Sequence, residues 1–276
     1  LDHAVECYRT SQDVLAAAIT VEEMEEYQQH VEQGGTVFAG VDYAMILEQA
    51  ESAGDIILWD GGNNDMAFYR PDVTITVLDP LRPGQEDGWH PGEANIRAAD
   101  ILVVNKVNQA TPAAVEQAIA AARRLNPAAA LVTMESHATV DHPERIAGRA
   151  VLVIEDAPSV THGGLGEAAG AAMANQLAAH PVDPRDYAVG SLREIYDRFP
   201  QLGPVLPSLG YSPQQREELR QTILNVPCDA VLLGTPADLG TLFQLDQPVA
   251  RVRFEARDMS RPTLRDLLWA RLRKAL

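Results

Sequence analysis

Short apolar runs recur along the chain, and each of them ends in glycine or polar residues. By length and by their content of Val, Ile and Leu they predict strands at 56–59, 73–78, 100–104, 130–133, 151–154, 229–233 and 249–254. Helix signals stand before and between them: a helical opening at 4–15, a capping-box-like start at Thr20 and Glu23, and Thr111 as an N-cap with Pro112 at the first helical position. Parallel strands that alternate with helices form a sheet whose binding crevice lies at the carboxyl ends of the strands. The predicted fold class is therefore α/β, with a doubly wound and mostly parallel sheet.

The run Ile56–Trp59 stops abruptly at Asp60, Gly61 and Gly62, as a buried strand does when it delivers a carboxylate to a crevice. In nucleotide hydrolases an Asp at such a strand end reaches Mg²⁺ directly or through water. The two glycines leave room for backbone amides to approach a terminal phosphate. An ordinary strand with a glycine turn fits the same residues. We interpret Asp60 as a catalytic residue and metal ligand, and Gly61 and Gly62 as nucleotide-binding.

Asn105-Lys106 follows another apolar run and matches the start of the Asn-Lys-x-Asp loop of P-loop GTPases. The Asp of that loop accepts two hydrogen bonds from guanine. Here the fourth position is Asn108, and an amide cannot supply the same pair of charged acceptors. Asn105, Lys106 and Asn108 are therefore predicted to bind a nucleotide, with ATP favoured over GTP, although a chance Asn-Lys at a strand end remains an alternative.

The segment Thr161–Gly164 precedes an alanine-rich helix, whose N-terminus attracts anions. His162 adds a titratable donor, so it is a second predicted catalytic residue. Thr161, Gly163 and Gly164 are predicted to bind a substrate anion, and a plain glycine-rich turn is the alternative.

Other strand-end residues complete the predicted site. Arg82 and His90 are predicted to bind substrate anions, because they are cationic groups near strand ends in an acidic chain. The alternative is that they are exposed single charges, which are usually solvated. The loop after the run 229–233 is predicted to bind the nucleotide through Gly234, Thr235, Pro236 and Asp238. An N-cap by Thr235 or Asp238 explains the same residues nearly as well.

Charge and composition restrict the classes of partner. The formal net charge of −17 argues against a nucleic-acid or membrane-surface binder, which needs a basic footprint. No apolar run approaches the ~20 residues that span a bilayer. Cys7 and Cys228 are far apart and lack metal-ligand spacing, which fits reduced thiols and a cytoplasmic location. The expected ligands are a nucleotide and a small anionic phosphorylated substrate, and a homodimer is possible.

The phosphate-binding motif of P-loop enzymes is missing from the chain. No Gly-x-x-x-x-Gly-Lys-Ser/Thr sequence occurs, so neither the phosphate cradle nor its lysine can be assigned. Either the P-loop interpretation is wrong, or the first strand and its loop lie in an N-terminal part outside this sequence. The helical opening without an initial Met favours the second alternative.

Several motifs occur together in a fixed order. They are Trp59-Asp60-Gly61-Gly62-Asn63-Asn64-Asp65, Asp79-Pro80-Leu81-Arg82-Pro83-Gly84, His90-Pro91-Gly92-Glu93-Ala94-Asn95, Asn105-Lys106-Val107, Thr161-His162-Gly163-Gly164 and Gly203-Pro204-Val205-Leu206-Pro207. In this combination the chain resembles cyclic 2,3-diphosphoglycerate synthetase-like P-loop proteins, also described as predicted GTPases. The likeness runs over nearly the whole chain and is more specific for the family than for the reaction.

The resemblance implies a P-loop-NTPase-like sheet that lacks its N-terminal P-loop strand. It matches Asp60 to the Mg²⁺-associated acid and Asn105-Lys106 to the base loop, whereas the family commonly has Asp at the position of Asn108. The implied domains are a partial P-loop NTPase-like core at 1–148 and a C-terminal α/β region at 149–276, which either continues the same sheet or forms its own.

The function implied by the resemblance is an ATP-dependent, ligase-like enzyme that uses Mg²⁺ to activate a small phosphorylated acid for ring closure. Arg82, His90 and His162 would hold substrate anions. A regulatory or metallochaperone-like GTPase and a non-catalytic binding domain are the alternatives. Because the phosphate loop is missing, the fragment by itself is expected to be inactive.

Overall fold

The computed structural model describes residues 4–61, 65–161 and 166–275. The strands are β1 (Glu6–Tyr8), β2 (Val37–Ala39), β3 (Ile75–Leu78), β4 (Ile101–Val104), β5 (Ala130–Val140), β6 (Ala150–Glu155), β7 (His180–Pro181), β8 (Val205–Pro207), β9 (Ala230–Gly234) and β10 (Val249–Asp258). The helices are α1 (Ser11–Ala16), α2 (Val21–Glu32), α3 (Tyr43–Ala53), α4 (Gly92–Ala98), α5 (Pro112–Leu125), α6 (Ala157–Val160), α7 (Ala169–Gln176), α8 (Ser191–Arg198), α9 (Pro213–Asn225), α10 (Leu239–Phe243) and α11 (Leu264–Ala275). The predicted α/β class with mostly parallel strands is confirmed. The finer assignment to a P-loop-like fold stays a prediction.

The chain divides into two compact units, and neither is continuous in sequence. Unit 1 comprises Leu1–Glu48 and Ala138–Arg253, and unit 2 comprises Gln49–His137 and Phe254–Leu276. Helix α3 and strands β5 and β10 contribute residues to both units. The sequence-based division places one boundary after residue 148, and its assignment of functions to the ranges 1–148 and 149–276 stays a prediction.

Unit 1 is organised around β6, whose neighbours in the sheet all run parallel to it. Strands β7, β8 and β9 pair with β6, and β10 pairs with β9. Alternate residues of β6 enter two different apolar clusters, Leu152 and Ile154 one and Val151 and Val153 the other. Since helices cover both faces, the strand carries no polar face, which explains its continuous apolar run.

The N-terminal part of unit 1 differs in detail from the predicted helices. The capping box at Thr20 and Glu23 forms as predicted and begins α2. The first predicted helix is only partly correct, because residues Glu6–Tyr8 form β1, which pairs antiparallel with β2. The pairing partner lies some thirty residues away in sequence, so a local pattern could not reveal it.

Unit 2 contains the parallel strands β3, β4 and β5, in that order. One face of these strands packs with α4 and α5 through a cluster that includes Leu78, Leu102 and Val104. The other face, which includes Ile101 and Val103, packs with α11. The predicted cap of α5 is confirmed, since the backbone N–H of Ala114 donates to the Thr111 hydroxyl at 3.3 Å.

The strand predicted at 56–59 is wrong. These residues form no strand or helix, and Ile56, Ile57 and Leu58 are 72%, 41% and 77% exposed. An apolar run becomes a buried strand only when neighbouring strands supply backbone hydrogen bonds and packing. No described strand pairs with this run, so Asp60 lies in an exposed irregular segment rather than at a strand end.

Candidate functional site

The carboxyl ends of three parallel strands meet at one edge of the sheet in unit 1. Glu155, the last residue of β6, is in register with Pro207 of β8 and with Gly234 of β9. The residues that follow these positions are Asp156, Ser208 and Thr235. Ligand crevices of parallel α/β sheets lie at this edge, so we take these strand ends as the candidate site.

Helix α2 inserts one carboxylate at these strand ends. Glu25 lies on the buried face of the helix and is only 7% exposed. The Ser208 hydroxyl donates a hydrogen bond to Glu25 Oε1 at 2.7 Å, and the Thr235 hydroxyl donates to the same oxygen. Both hydroxyl residues are at most 1% exposed. Elements from three distant parts of the sequence therefore converge on Glu25.

Burial raises the pKa of the Glu25 carboxyl group from 4.5 to about 8, and the negative charge of Asp156 acts in the same direction. The hydrogen bonds from Thr235 and Ser208 oppose these effects and do not overcome them. Near neutral pH the group is therefore mostly protonated. A buried acid with a strongly shifted pKa at converging strand ends is typical of functional sites.

The neighbouring Glu155 is completely buried and has a different environment. Its carboxylate accepts backbone N–H groups from Ala168, Gly170 and Ala171, at the start of α7, at distances of 2.8 to 3.1 Å. Burial nevertheless raises its pKa, because desolvation exceeds the effect of these hydrogen bonds. A Cβ built on Gly234 would lie 2.3 Å from Glu155 Oε2, so the glycine leaves space for the carboxylate. The first amides of α7 thus hold a carboxylate of the chain itself.

Acidic side chains extend from the buried Glu25 towards solvent. The hydroxyl of Tyr211, which is 44% exposed, donates a hydrogen bond to Glu22 Oε1. Burial raises the pKa of Tyr211, and the negative charges of Glu22, Glu25 and Asp156 raise it further. These three carboxylates therefore lie close enough to act on one hydroxyl group.

The ionisable groups at these strand ends are acidic, so the site offers acceptors to a cation. Within residues 4–61, 65–161 and 166–275, no three His, Cys, Asp or Glu side chains are grouped to hold a metal. Glu25 and Asp156 are acceptors when ionised, and two hydroxyl groups adjoin the first of them. Such acceptors match the N–H donors of an ammonium or guanidinium group.

A second group of polar residues follows the strands of unit 2. After β4, the Lys106 ammonium group lies 2.8 Å from Asp79 Oδ2, which follows β3. Lys106 has a positive φ of 57°, a conformation that is uncommon outside glycine and is found at functional sites. The Oδ1 atom of Asn105 is buried and accepts no hydrogen bond from described residues. These strand ends therefore present one unused acceptor beside a paired lysine.

Asn108, the residue that weakened the case for guanine, already has a partner within the protein. Its amide donates to the carbonyl of Ser136 and accepts from the Ser136 N–H, both at 3.0 Å. The side chain thereby secures the backbone of β5.

The structure distributes the predicted site residues over both units. Unit 2 holds Asp60, Gly61, Arg82, His90, Asn105, Lys106 and Asn108. Unit 1 holds Thr161, Gly234, Thr235, Pro236 and Asp238. The remaining predicted positions lie outside the described residues: Gly62, His162, Gly163 and Gly164.

Several of these residues have defined surroundings. Arg82 is exposed, and His90 lines an open pocket of about 390 Å³ together with Trp89 and Arg97. The Thr161 hydroxyl donates to the Ala157 carbonyl at 2.7 Å. Asp238 is the N-cap of α10, which agrees with the N-cap given above as the alternative to nucleotide binding. The site assignments themselves stay predictions.

Sequence reasoning missed Glu25 and Ser208. The signal for Glu25 was available, because it interrupts the apolar stripe of α2 between Met24 and Val31. Ser208 follows a strand of only three residues inside a proline-rich stretch, where no periodicity indicates a strand.

Comparisons with known proteins give one clear likeness. No family model matches the chain. The chain is 44% identical over 270 residues to "Arginine synthetase ArcE" of Thermococcus kodakarensis. The match covers 97% of this chain and 60% of that relative.

This likeness corrects the predicted reaction. A relative with 44% identity over nearly the whole chain is named for synthesis of arginine, so the prediction of a cyclic 2,3-diphosphoglycerate synthetase is wrong. The resemblance to P-loop proteins, which rested on short loops, carried no information on the substrate. None of the helices that the structure describes combines the length and apolar character needed to cross a membrane. The chain is thus similar to part of an enzyme named as an arginine synthetase, of whose length it spans about 60%.

Proposed function

We propose that this chain is part of a nucleotide-dependent synthetase that produces arginine. The similarity to arginine synthetase over 97% of the chain carries this proposal. Synthetases couple formation of a bond to cleavage of a nucleoside triphosphate, so the proposal requires one site for an amino acid and one for a nucleotide.

The acidic strand ends of unit 1 supply the first site. Arginine carries a guanidinium group that stays protonated in proteins, together with an α-ammonium group. The carboxylates of Glu25 and Asp156 offer charged acceptors, and Ser208 and Thr235 hold the first of them in place. A bound cation would lower the pKa of Glu25 from about 8 and favour its ionised form.

The strand ends of unit 2 supply the second site. The buried Asn105 Oδ1 has an unused acceptor that fits the amino group of a base, and Lys106 stands beside it. We assign ATP to these residues, in a P-loop-like arrangement. Mg²⁺ commonly binds through one or two carboxylates and the phosphates, so Asp60 would be sufficient on the protein side. Gly61 would adjoin the phosphates, and the prediction for Gly62 lies outside the described residues. Arg82 and His90 remain candidates for binding a phosphorylated substrate. The homodimer, the cytoplasmic location and the exclusion of nucleic-acid and membrane partners also remain predictions.

Isothermal titration calorimetry with L-arginine tests the amino-acid site. Because Glu25 must ionise to pair with the cation, we expect arginine affinity to rise up to about tenfold per pH unit between pH 6 and 8, with release of a proton. Glu25→Gln should weaken binding about 10- to 100-fold and remove the pH dependence, since a charged hydrogen bond is lost. Glu217→Gln, at an exposed position of α9, is the matched control and should bind as the wild type does.

A turnover assay tests the reaction separately. The gene product at its natural length, supplied with L-arginine, ADP, phosphate and Mg²⁺, should run the synthesis in reverse: the bond that the forward reaction makes in arginine is cleaved, phosphate is joined to ADP, and one arginine is consumed for each ATP formed. Binding of arginine without any arginine-dependent turnover would contradict the reaction but leave the binding site. Absence of both would refute the proposal.

A further inference from the structure

Two hydrogen bonds join helix α2 to the segment that follows β8, and they succeed one another along the helix. The Ser208 hydroxyl donates to Glu25 at 2.7 Å, and the Tyr211 hydroxyl donates to Glu22. Glu22 and Glu25 are three positions apart, so they lie on the same face of α2. The acidic side chains of the candidate site therefore run from the buried Glu25 along this face towards the start of the helix.

Arg216 of helix α9 makes a third contact, at the start of α2. Its Nη1 atom donates a hydrogen bond to the Ile19 carbonyl at 3.3 Å. The side chain packs beside Gly210, where an added Cβ would lie 3.1 Å from Arg216 Cγ and 2.3 Å from Val21 Cγ2. Glycine at this position thus lets the stem of Arg216 and the start of α2 approach the same stretch of backbone. Arg216 is thereby held beside the loop that carries Tyr211.

The guanidinium group of Arg216 keeps most of its donors for a ligand. A guanidinium group has five N–H donors. Within the part of the chain that the structure describes, this one makes a single hydrogen bond, to Ile19, and no carboxylate lies within ion-pair distance of it. In a chain with a net charge of −17, an arginine without an acidic partner beside an acidic site is suited to bind an anionic group of the ligand.

The order of charges along α2 matches an amino acid with a cationic side chain. Glu25 and Asp156 supply acidic groups at one end, and Glu22 acts on the same hydroxyl group as they do. Arg216 supplies the positive charge at the other end. Arginine presents the opposite charges in the same order: a guanidinium group at one end, and an α-ammonium group with an α-carboxylate at the other.

The length of the helix segment agrees with the length of this ligand. Thr20 is the N-cap of α2 and directly follows Ile19. At a helical rise of about 1.5 Å per residue, the path from Thr20 to Glu25 spans roughly 7 Å along the axis. An extended chain advances about 1.2 Å per bond, so the roughly six bonds between the carboxyl carbon and the guanidinium carbon of arginine also span about 7 Å. One molecule of arginine can therefore reach from Glu25 to Arg216.

We infer that Arg216 binds the α-carboxylate of the amino acid whose guanidinium group binds at Glu25, and that it thereby selects amino acids over amines of the same length. This inference rests on the arginine site of the proposed function. A guanidinium group and a carboxylate form two parallel hydrogen bonds, which adds both affinity and a fixed orientation. A ligand without the carboxylate leaves these donors of Arg216 unused.

Isothermal titration calorimetry with two ligands tests the inference on the gene product at its natural length. The ligands are L-arginine and agmatine, which has the same guanidinium and amino groups but no carboxylate. We expect L-arginine to bind about 10- to 100-fold more tightly than agmatine, as the loss of a charged hydrogen-bonded pair predicts. Equal affinities would overturn the inference and leave the proposed function intact, whereas binding of neither ligand would overturn both.

Substitutions separate the two ends of the site. Arg216→Gln should weaken binding of L-arginine about 10- to 100-fold and leave the affinity for agmatine unchanged. Glu25→Gln should weaken binding of both ligands, because both carry the guanidinium group. Arg216→Lys keeps the charge and most of the stem, so it should restore part of the preference for L-arginine.

Arg220→Gln is the matched control, because Arg220 lies one turn further along α9 in an exposed ion pair with Glu217. This variant should bind both ligands as the wild type does. Equal weakening of both ligands by Arg216→Gln would overturn the inference, because it would give Arg216 a purely structural role at the start of α2.

Discussion

The raised pKa of Glu25 predicts how the stability of unit 1 depends on pH. In the folded protein the group titrates at about 8, against an ordinary value of 4.5 that we take for the unfolded chain. Between these values the folded state binds the extra proton, so the stabilising contribution of the protonated group is complete below pH 4.5 and is lost as pH rises through 8. A difference of this size corresponds to about 4–5 kcal/mol across the window.

Glu25→Gln isolates this effect, because the amide resembles the protonated carboxyl in shape and keeps an acceptor for Ser208 and Thr235. We expect wild type and variant to have similar stability at pH 5. At pH 9 the variant should be more stable by several kcal/mol, and the divergence should accumulate steadily between about pH 5 and 8.

The readout must belong to unit 1, because Glu25 lies there. Trp59, Trp89 and Trp269 all lie in unit 2, so tryptophan fluorescence reports the wrong unit and serves as an internal control. Amide exchange in β6, followed in urea at pH 5 to 9, reports unit 1 directly. Parallel pH profiles of wild type and Glu25→Gln would refute the reasoning, and Glu217→Gln controls for loss of a surface charge.

Two further substitutions test the packing and the nucleotide assignment. Gly234→Ala should destabilise unit 1 by about 1–3 kcal/mol in urea denaturation, because the new Cβ would meet the Glu155 carboxylate. Gly92→Ala is the control and should be nearly neutral, since a Cβ at that position has no atom within 4 Å. Equal effects of the two substitutions would contradict the tight fit at Gly234. Asn105→Ala should weaken ATP binding about tenfold in calorimetry through loss of one acceptor, without changing arginine affinity. Unchanged ATP affinity would remove Asn105 from the nucleotide site.

Three of the strands that the sequence predicted correctly are buried on both faces. The runs at 101–104, 151–154 and 230–233 are continuously apolar, since helices cover them on either side, and the sequence itself reflects this burial. Helix starts at Thr20 and Thr111 were equally accessible, because an N-cap acts over three residues.

The failures occurred where a neighbour distant in sequence decides the outcome. The run Ile56–Trp59 has the composition of a strand and no described strand beside it, whereas Val205–Pro207 forms a buried strand from three residues because β6 lies alongside. The substrate could not be deduced either, since strand-end loops that carry glycine and polar residues suit many anions and cations alike.

The sequence alone therefore determined the fold class, the N-caps at Thr20 and Thr111, and the buried strands β4, β6 and β9. All of these depend on interactions within a few residues or on uniform burial. Only the tertiary structure decided which strand ends form a site. Glu25 meets Ser208 and Thr235, which lie 183 and 210 positions away, and its pKa depends on that meeting. Chain topology creates such contacts, and burial gives them their electrostatic effect, so neither property belongs to any local stretch of residues.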